Sequence, residues 1–80
     1  MLYTQNILDE INLLAQFNLA TTHEGIKIHQ HTAPEGLVNA AQRLHHKGLI
    51  TQKDGGYLTS LGIEAAEHAQ TLLRLLQPTN

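Results

Sequence analysis

A short segment with a glycine-rich centre limits the fold more than any other part of the sequence. Residues 49–52 (LITQ) and 57–59 (YLT) have the composition of β-strands, and residues 53–56 (KDGG) lie between them. Asp-Gly and Gly-Gly pairs supply the positive φ angles that tight hairpin turns require. The sequence therefore predicts a β-hairpin over residues 49–59.

Helical patterns flank this hairpin on both sides. An apolar stripe after Thr4 predicts a first helix over residues 4–17. The stripe consists of Ile7, Leu8, Ile11, Leu14 and Ala15. A longer helix is predicted over residues 33–47, because Pro34 suits a first turn and Gly48 suits a helix end. A last helix begins at Thr59 or Ser60 and ends near Leu76.

Two capping boxes precede the hairpin. Thr21 and Glu24, and again Thr32 and Glu35, have the spacing in which a hydroxyl and a carboxylate satisfy the first amides of a helix. The first box predicts a helix of about two turns that ends in a tight turn near His31. Residues 25–29 (GIKIH) alternate with period two, however, and a short strand remains the alternative.

The composition predicts one small domain over residues 1–80. Hydrophobic residues make up 41% of the chain, which suffices for a core, and there are no cysteines for disulfides or thiolate metal sites. No apolar run approaches a membrane span, and the N-terminus lacks a signal-peptide pattern, so we expect a cytoplasmic protein. The net charge of −2 offers no overall electrostatic case for nucleic acid.

The order helix, helix, helix, hairpin, helix resembles a winged helix-turn-helix domain of the MarR-like kind. The resemblance rests on residues 41–50 (AQRLHHKGLI) and 54–62 (DGGYLTSLG), and it covers residues 21–67. It implies a mainly α fold whose hairpin is a wing, residues 49–59, and whose recognition helix is residues 33–47. The whole chain also resembles a small family of bacterial proteins described only as DNA-binding. Two features depart from the pattern: Lys27 lies where a small residue is preferred, and residues 33–36 lack donors for base edges.

The resemblance implies double-stranded DNA as the partner and regulation of transcription as the function. The residues that we predict to contact DNA are Lys27, Asn39, Gln42, Arg43, His46, Lys47 and Lys53. Asn and Gln can pair with adenine, Arg with guanine and Lys with phosphate. The alternative for these residues is an ordinary solvated helix face.

Surplus apolar residues in the last helix predict a homodimer that packs through Leu72, Leu75 and Leu76. A second hypothesis for the function is a winged-helix module that binds another protein. A third hypothesis is a metal-responsive regulator that uses His29, His31 and His45 or His46. We expect no metal site and no cofactor, because no helical metal-ligand spacing is present. We expect no enzymatic activity, because no catalytic motif is present either.

Overall fold

The chain consists of three helices and a small antiparallel sheet. The computed structural model describes residues 2–21 and 23–78. The elements are α1 (Gln5–Leu14), β1 (Ile26–Lys27), α2 (Glu35–His46), β2 (Ile50–Gln52), β3 (Gly55–Leu58) and α3 (Ser60–Leu76). The predicted class, mainly α with a small hairpin, is confirmed. Within the described ranges, no helix combines the length and the apolar character needed to cross a membrane.

The hairpin lies where the sequence predicts it. β2 pairs with β3, and Gln52 faces Gly55 across a turn made by Lys53 and Asp54. Gly55 and Gly56 adopt φ angles of +125° and +76°. These conformations are open to glycine and strained for other residues, which explains why this turn chemistry fixes the hairpin so well.

The predicted second helix is wrong, and the alternative of a strand is confirmed for Ile26–Lys27. The Thr21 hydroxyl accepts a hydrogen bond from the His23 amide at 3.0 Å, which closes a local turn. Glu24 accepts one from the Asn18 side chain at 2.6 Å instead of capping a helix. β1 pairs antiparallel with β3, so the sheet order is β1–β3–β2. The predicted succession of four helices therefore becomes three.

The helix start predicted from the second capping box, Thr32 and Glu35, is wrong as well. α2 begins at Glu35 with Pro34 as its N-cap, and no side chain caps it. The Thr32 hydroxyl instead donates to the His29 carbonyl at 3.5 Å. One hydrogen-bonded turn, from the Ala33 amide to the His29 carbonyl at 2.8 Å, stands where the helical corner was expected. The end of α2 agrees with prediction, since Gly48 follows it with a φ of +80°.

The first helix is shorter than predicted and rotated about its axis. Ile7 and Leu8, which the apolar stripe places in the core, are 39% and 41% exposed. The buried residues of this segment are Glu10, Leu13, Leu14 and Phe17. This rotation brings the charged Glu10 to the side of α1 that packs against α2.

Backbone contacts fix α3 against the hairpin. The Thr59 hydroxyl accepts from the Gly62 amide at 3.0 Å and donates to the Gly48 carbonyl at 2.6 Å. Thr59 thus caps α3, as predicted, and ties its start to the end of α2. The core between these elements centres on Leu13, Leu44 and Ile50.

Candidate nucleic-acid interface

The outer side of α2 carries most of the predicted contact residues. Ala40, Ala41 and Leu44 are buried against the core, as the periodicity predicts. The opposite side of the helix lines an open depression of about 530 Å³. Its lining residues are Asn39, Gln42, Arg43, His46 and Lys47. The structure therefore brings five of the seven predicted DNA-contact residues onto one surface.

A second depression joins this surface to the hairpin turn. It is lined by Ile28, Gln30, Val38, Gln42, Lys53 and Asp54. Gln42 lines both depressions, so it lies between the α2 cations and Lys53 of the turn. We call the residues of the two depressions together the α2–hairpin surface.

A buried carboxylate holds two of the cations on this surface. The Nε of Arg43 donates to Oε2 of Glu10 at 3.1 Å, and one Nη donates to the Asn6 carbonyl at 3.1 Å. Lys47 forms an ion pair with the other oxygen of Glu10. Glu10 is 7% exposed, whereas the side chains of Arg43 and Lys47 are 30% and 50% exposed. Both cationic side chains are therefore held in place by Glu10 and remain partly exposed to solvent.

This role of Glu10 was not predicted from the sequence. A signal for it was present, because Glu10 precedes Leu13, Leu14 and Phe17 by three, four and seven residues. That spacing places Glu10 on the same helix side as three core residues. A carboxylate on a buried stripe requires cationic or hydrogen-bonding partners, and α2 supplies them.

Lys27 lies at the edge of this surface and is also paired. It forms an ion pair with Asp54, whose backbone carbonyl accepts from the Ile28 amide at 2.7 Å. The hydrogen bond from Lys27 holds the pKa of the Asp54 carboxyl below its ordinary value, and the charges of Lys27 and His29 act in the same direction. Lys53 has no carboxylate partner within the described residues, so its charge is not neutralised there.

Charge is distributed unevenly over the molecule. Lys27, Arg43, Lys47 and Lys53 stand against Glu10 and Asp54 on and beside the α2–hairpin surface, which leaves an excess of two positive charges. The five other carboxylates and Arg74 line neither depression and leave an excess of four negative charges, although Glu35 begins α2 and Asp9 lies beside Gly36. The positive charge is therefore concentrated at the two depressions, with carboxylates at the start of α2 beside them.

The histidines do not converge on a metal site. His29 and His31 line a depression with Lys27 and Asp54, whereas His46 lines the α2 depression. Throughout residues 2–21 and 23–78, no three side chains of the metal-binding types come together.

The three leucines predicted to form a dimer contact are exposed on α3. Leu72, Leu75 and Leu76 are 43%, 71% and 72% exposed. Leu61, near the start of the same helix, is 54% exposed. α3 therefore has an inward apolar side and a second, outward one.

Comparison with known proteins gives a family and no activity. A family model described as a family of unknown function, DUF5669, matches residues 1–77. The chain belongs to this family. No curated protein and no solved structure matches the chain. The geometry of the α2–hairpin surface is therefore the basis for a functional hypothesis.

Proposed function

We propose that this chain binds double-stranded DNA through the α2–hairpin surface, as a winged-helix-like regulator of transcription. One observation carries the proposal. Residues chosen from the sequence as DNA contacts share one open depression on α2, and Lys53 lies across Gln42 in the adjoining one.

The arrangement of α2 and the hairpin supports docking in a major groove. α2 has 12 residues, about 18 Å of helix, with one side in the core and the other in solvent. A groove about 12 Å wide admits such a helix. The hairpin turn beside it would then lie at the sugar–phosphate backbone, where a lysine such as Lys53 contributes most.

The side chains favour duplex DNA over a single strand. Proteins that bind single strands usually stack bases on aromatic side chains. No aromatic residue lines either depression of the α2–hairpin surface. Most of its lining residues carry amides, an imidazole or cations, which suit phosphate contacts and hydrogen bonds to base edges, and the others are Ile28, Val38 and Asp54.

Electrostatics set the expected strength and salt dependence. If two to four cations per chain neutralise phosphates, the logarithm of the binding constant falls with the logarithm of salt with a slope of about −2 to −4. The ion pairs with Glu10 and Asp54 favour the lower end of this range. Binding should therefore be readily measured at low salt and weaken by about tenfold or more when the salt concentration is tripled.

A charge-matched pair of variants tests the surface. Lys53→Glu and Arg74→Glu change the net charge equally, but only Lys53 lies on the α2–hairpin surface. In a fluorescence-anisotropy titration with a mixed-sequence duplex, Lys53→Glu should weaken binding about tenfold and Arg74→Glu much less. Equal effects of the two variants would contradict the proposal. Wild-type binding no tighter than millimolar at both low and moderate salt would contradict it as well.

We further propose that two copies pack through α3. The exposed residues Leu61, His68, Leu72 and Leu75 follow one another at intervals of seven, four and three, and the half-buried Ala65 lies between the first two. This is the spacing of a two-helix seam, and Leu76 borders it. Sedimentation velocity should show a wild-type dimer and a folded monomer for Leu75→Glu/Leu76→Glu. A wild-type monomer at high micromolar concentration would refute this dimer.

A protein partner is the second candidate, and the ion pairs favour it. Glu10 and Asp54 interrupt what would otherwise be a continuous positive stripe from Lys47 to Lys27. An interrupted stripe suits a partner that presents hydrogen-bonding groups and scattered charge. The fluorescence-anisotropy titration separates the two candidates, because only a DNA-binding protein should bind the duplex with a binding constant that falls steeply with salt.

A further inference from the structure

Some polar side chains of the α2–hairpin surface and its edge are bonded to other groups of the protein, and others are not. The Nε and one Nη of Arg43 donate hydrogen bonds to Glu10 and to the Asn6 carbonyl. Lys47 is directed to Glu10, and Lys27 is directed to Asp54. Bidentate recognition of guanine needs a guanidinium edge that can turn toward the base. The cations are therefore suited to phosphate, and the Nε–Nη edge of Arg43 is not open to guanine while it is bonded to Glu10 and Asn6.

The uncharged amides on the same surface are free. Asn39 and Gln42 are exposed, and within the described residues neither side chain forms a hydrogen bond to the protein. They lie three residues apart on α2, so their side chains leave the helix on the same side. Gln42 also lines both depressions, which places it at the centre of the surface.

We propose that Gln42, assisted by Asn39, recognises adenine in the major groove and gives the surface its sequence preference. This inference rests on the proposed DNA binding. A carboxamide offers a donor and an acceptor side by side, which complements N7 and the N6 amino group of adenine. The first residues of α2, Glu35 and Gly36, offer no such group, so recognition falls to the middle of the helix.

The test combines selection with a single-atom change in the DNA. Wild-type protein is used to select sites from random duplexes, and the site obtained is synthesised with 7-deazaadenine at each adenine in turn. This base pairs normally but lacks the N7 acceptor. The matched variants are Gln42→Ala, Gln42→Arg and, as a control, Gln16→Ala, which changes an exposed glutamine outside both depressions.

We expect at least one adenine at which 7-deaza substitution weakens wild-type and Gln16→Ala binding about 5- to 100-fold. Gln42→Ala should bind both duplexes equally while its salt dependence is unchanged. Gln42→Arg should shift the selected base toward guanine. Tight binding without any base preference, or a 7-deaza effect that persists in Gln42→Ala, would overturn the inference and leave DNA binding intact. Absence of duplex binding by the wild type would overturn both.

Discussion

Arg43 of α2 donates to Glu10 of α1 at 3.1 Å, and this bond joins the helix that carries the proposed interface to α1. Breaking it leaves a nearly buried carboxylate with fewer partners. We expect Arg43→Ala to lower the free energy of unfolding by about 1–3 kcal/mol, since bonds to charged groups contribute that much. Urea unfolding measures it.

A double-mutant cycle isolates the pair. Glu10→Gln and Arg43→Ala together should cost less than the sum of the single changes, with a coupling energy of at least about 0.5 kcal/mol. Glu67→Gln, an exposed carboxylate on α3, serves as the control and should change stability by less than about 0.5 kcal/mol. Strict additivity would mean that the bond contributes nothing.

Gly62 lies against the Leu49 carbonyl at the start of α3. A Cβ at this position would collide with that backbone oxygen, which cannot move without displacing β2. We expect Gly62→Ala to destabilise the protein by about 1–3 kcal/mol, in the range of overpacked sites. A smaller loss than in Gly48→Ala would contradict this, because Gly48 has open space and only a positive φ of +80°.

Thr59 both caps α3 and donates to the Gly48 carbonyl. Thr59→Ala removes both bonds, so we expect a loss of about 1–2 kcal/mol in the free energy of unfolding. Thermal unfolding of Thr59→Ala beside Thr71→Ala, an exposed position within α3, measures the difference. Similar melting temperatures for the two variants would show that the cap is not needed.

The Lys27–Asp54 pair predicts a pH dependence with a definite sign. Lys27 lowers the pKa of Asp54 below its ordinary value of 3.8. A lowered carboxyl pKa stabilises the fold above the ordinary value, and that contribution disappears as the pH falls through the folded pKa. The stability difference between wild type and Asp54→Asn should therefore be constant above about pH 5 and shrink below about pH 4. A difference that grows on acidification would contradict the assigned ion pair.

The same substitution probes the interface. Asp54→Asn removes a negative charge from the α2–hairpin surface and releases Lys27 from its partner. DNA binding should tighten by about 2- to 5-fold at low salt, which is the effect of one exposed pair. Weaker binding would indicate that Asp54 itself contributes a favourable contact.

The hairpin and the course of α2 were predicted correctly, because residues close together in the sequence determine both. Gly55 and Gly56 adopt angles that few other residues tolerate, and the α2 periodicity alone separates Ala40 and Leu44 from Gln42. The outward residues of α2 follow from the same periodicity. The sequence thus predicted most of the candidate site without knowledge of the fold.

The errors arise where distant segments decide the outcome. Thr21 and Glu24 have the spacing of a capping box, but pairing of Ile26 with β3 makes the segment a strand. The spacing of Glu10 from Leu13 and Phe17 places it on the buried side of α1, but its partners depend on how α1 packs against α2, which no local pattern specifies. The ion pairs that hold Arg43 and Lys47 were missed for this reason, and with them the division between held cations and free amides.

Chemical-shift mapping shows which residues of the protein contact DNA. Amide spectra of ¹⁵N-labelled protein are recorded during titration with a mixed-sequence duplex at about 50 mM salt. We expect the largest changes at Asn39, Gln42, His46 and Lys53, with small changes along α3. Changes confined to α3, or none at a DNA concentration near one millimolar, would contradict the assignment of the α2–hairpin surface as a DNA interface.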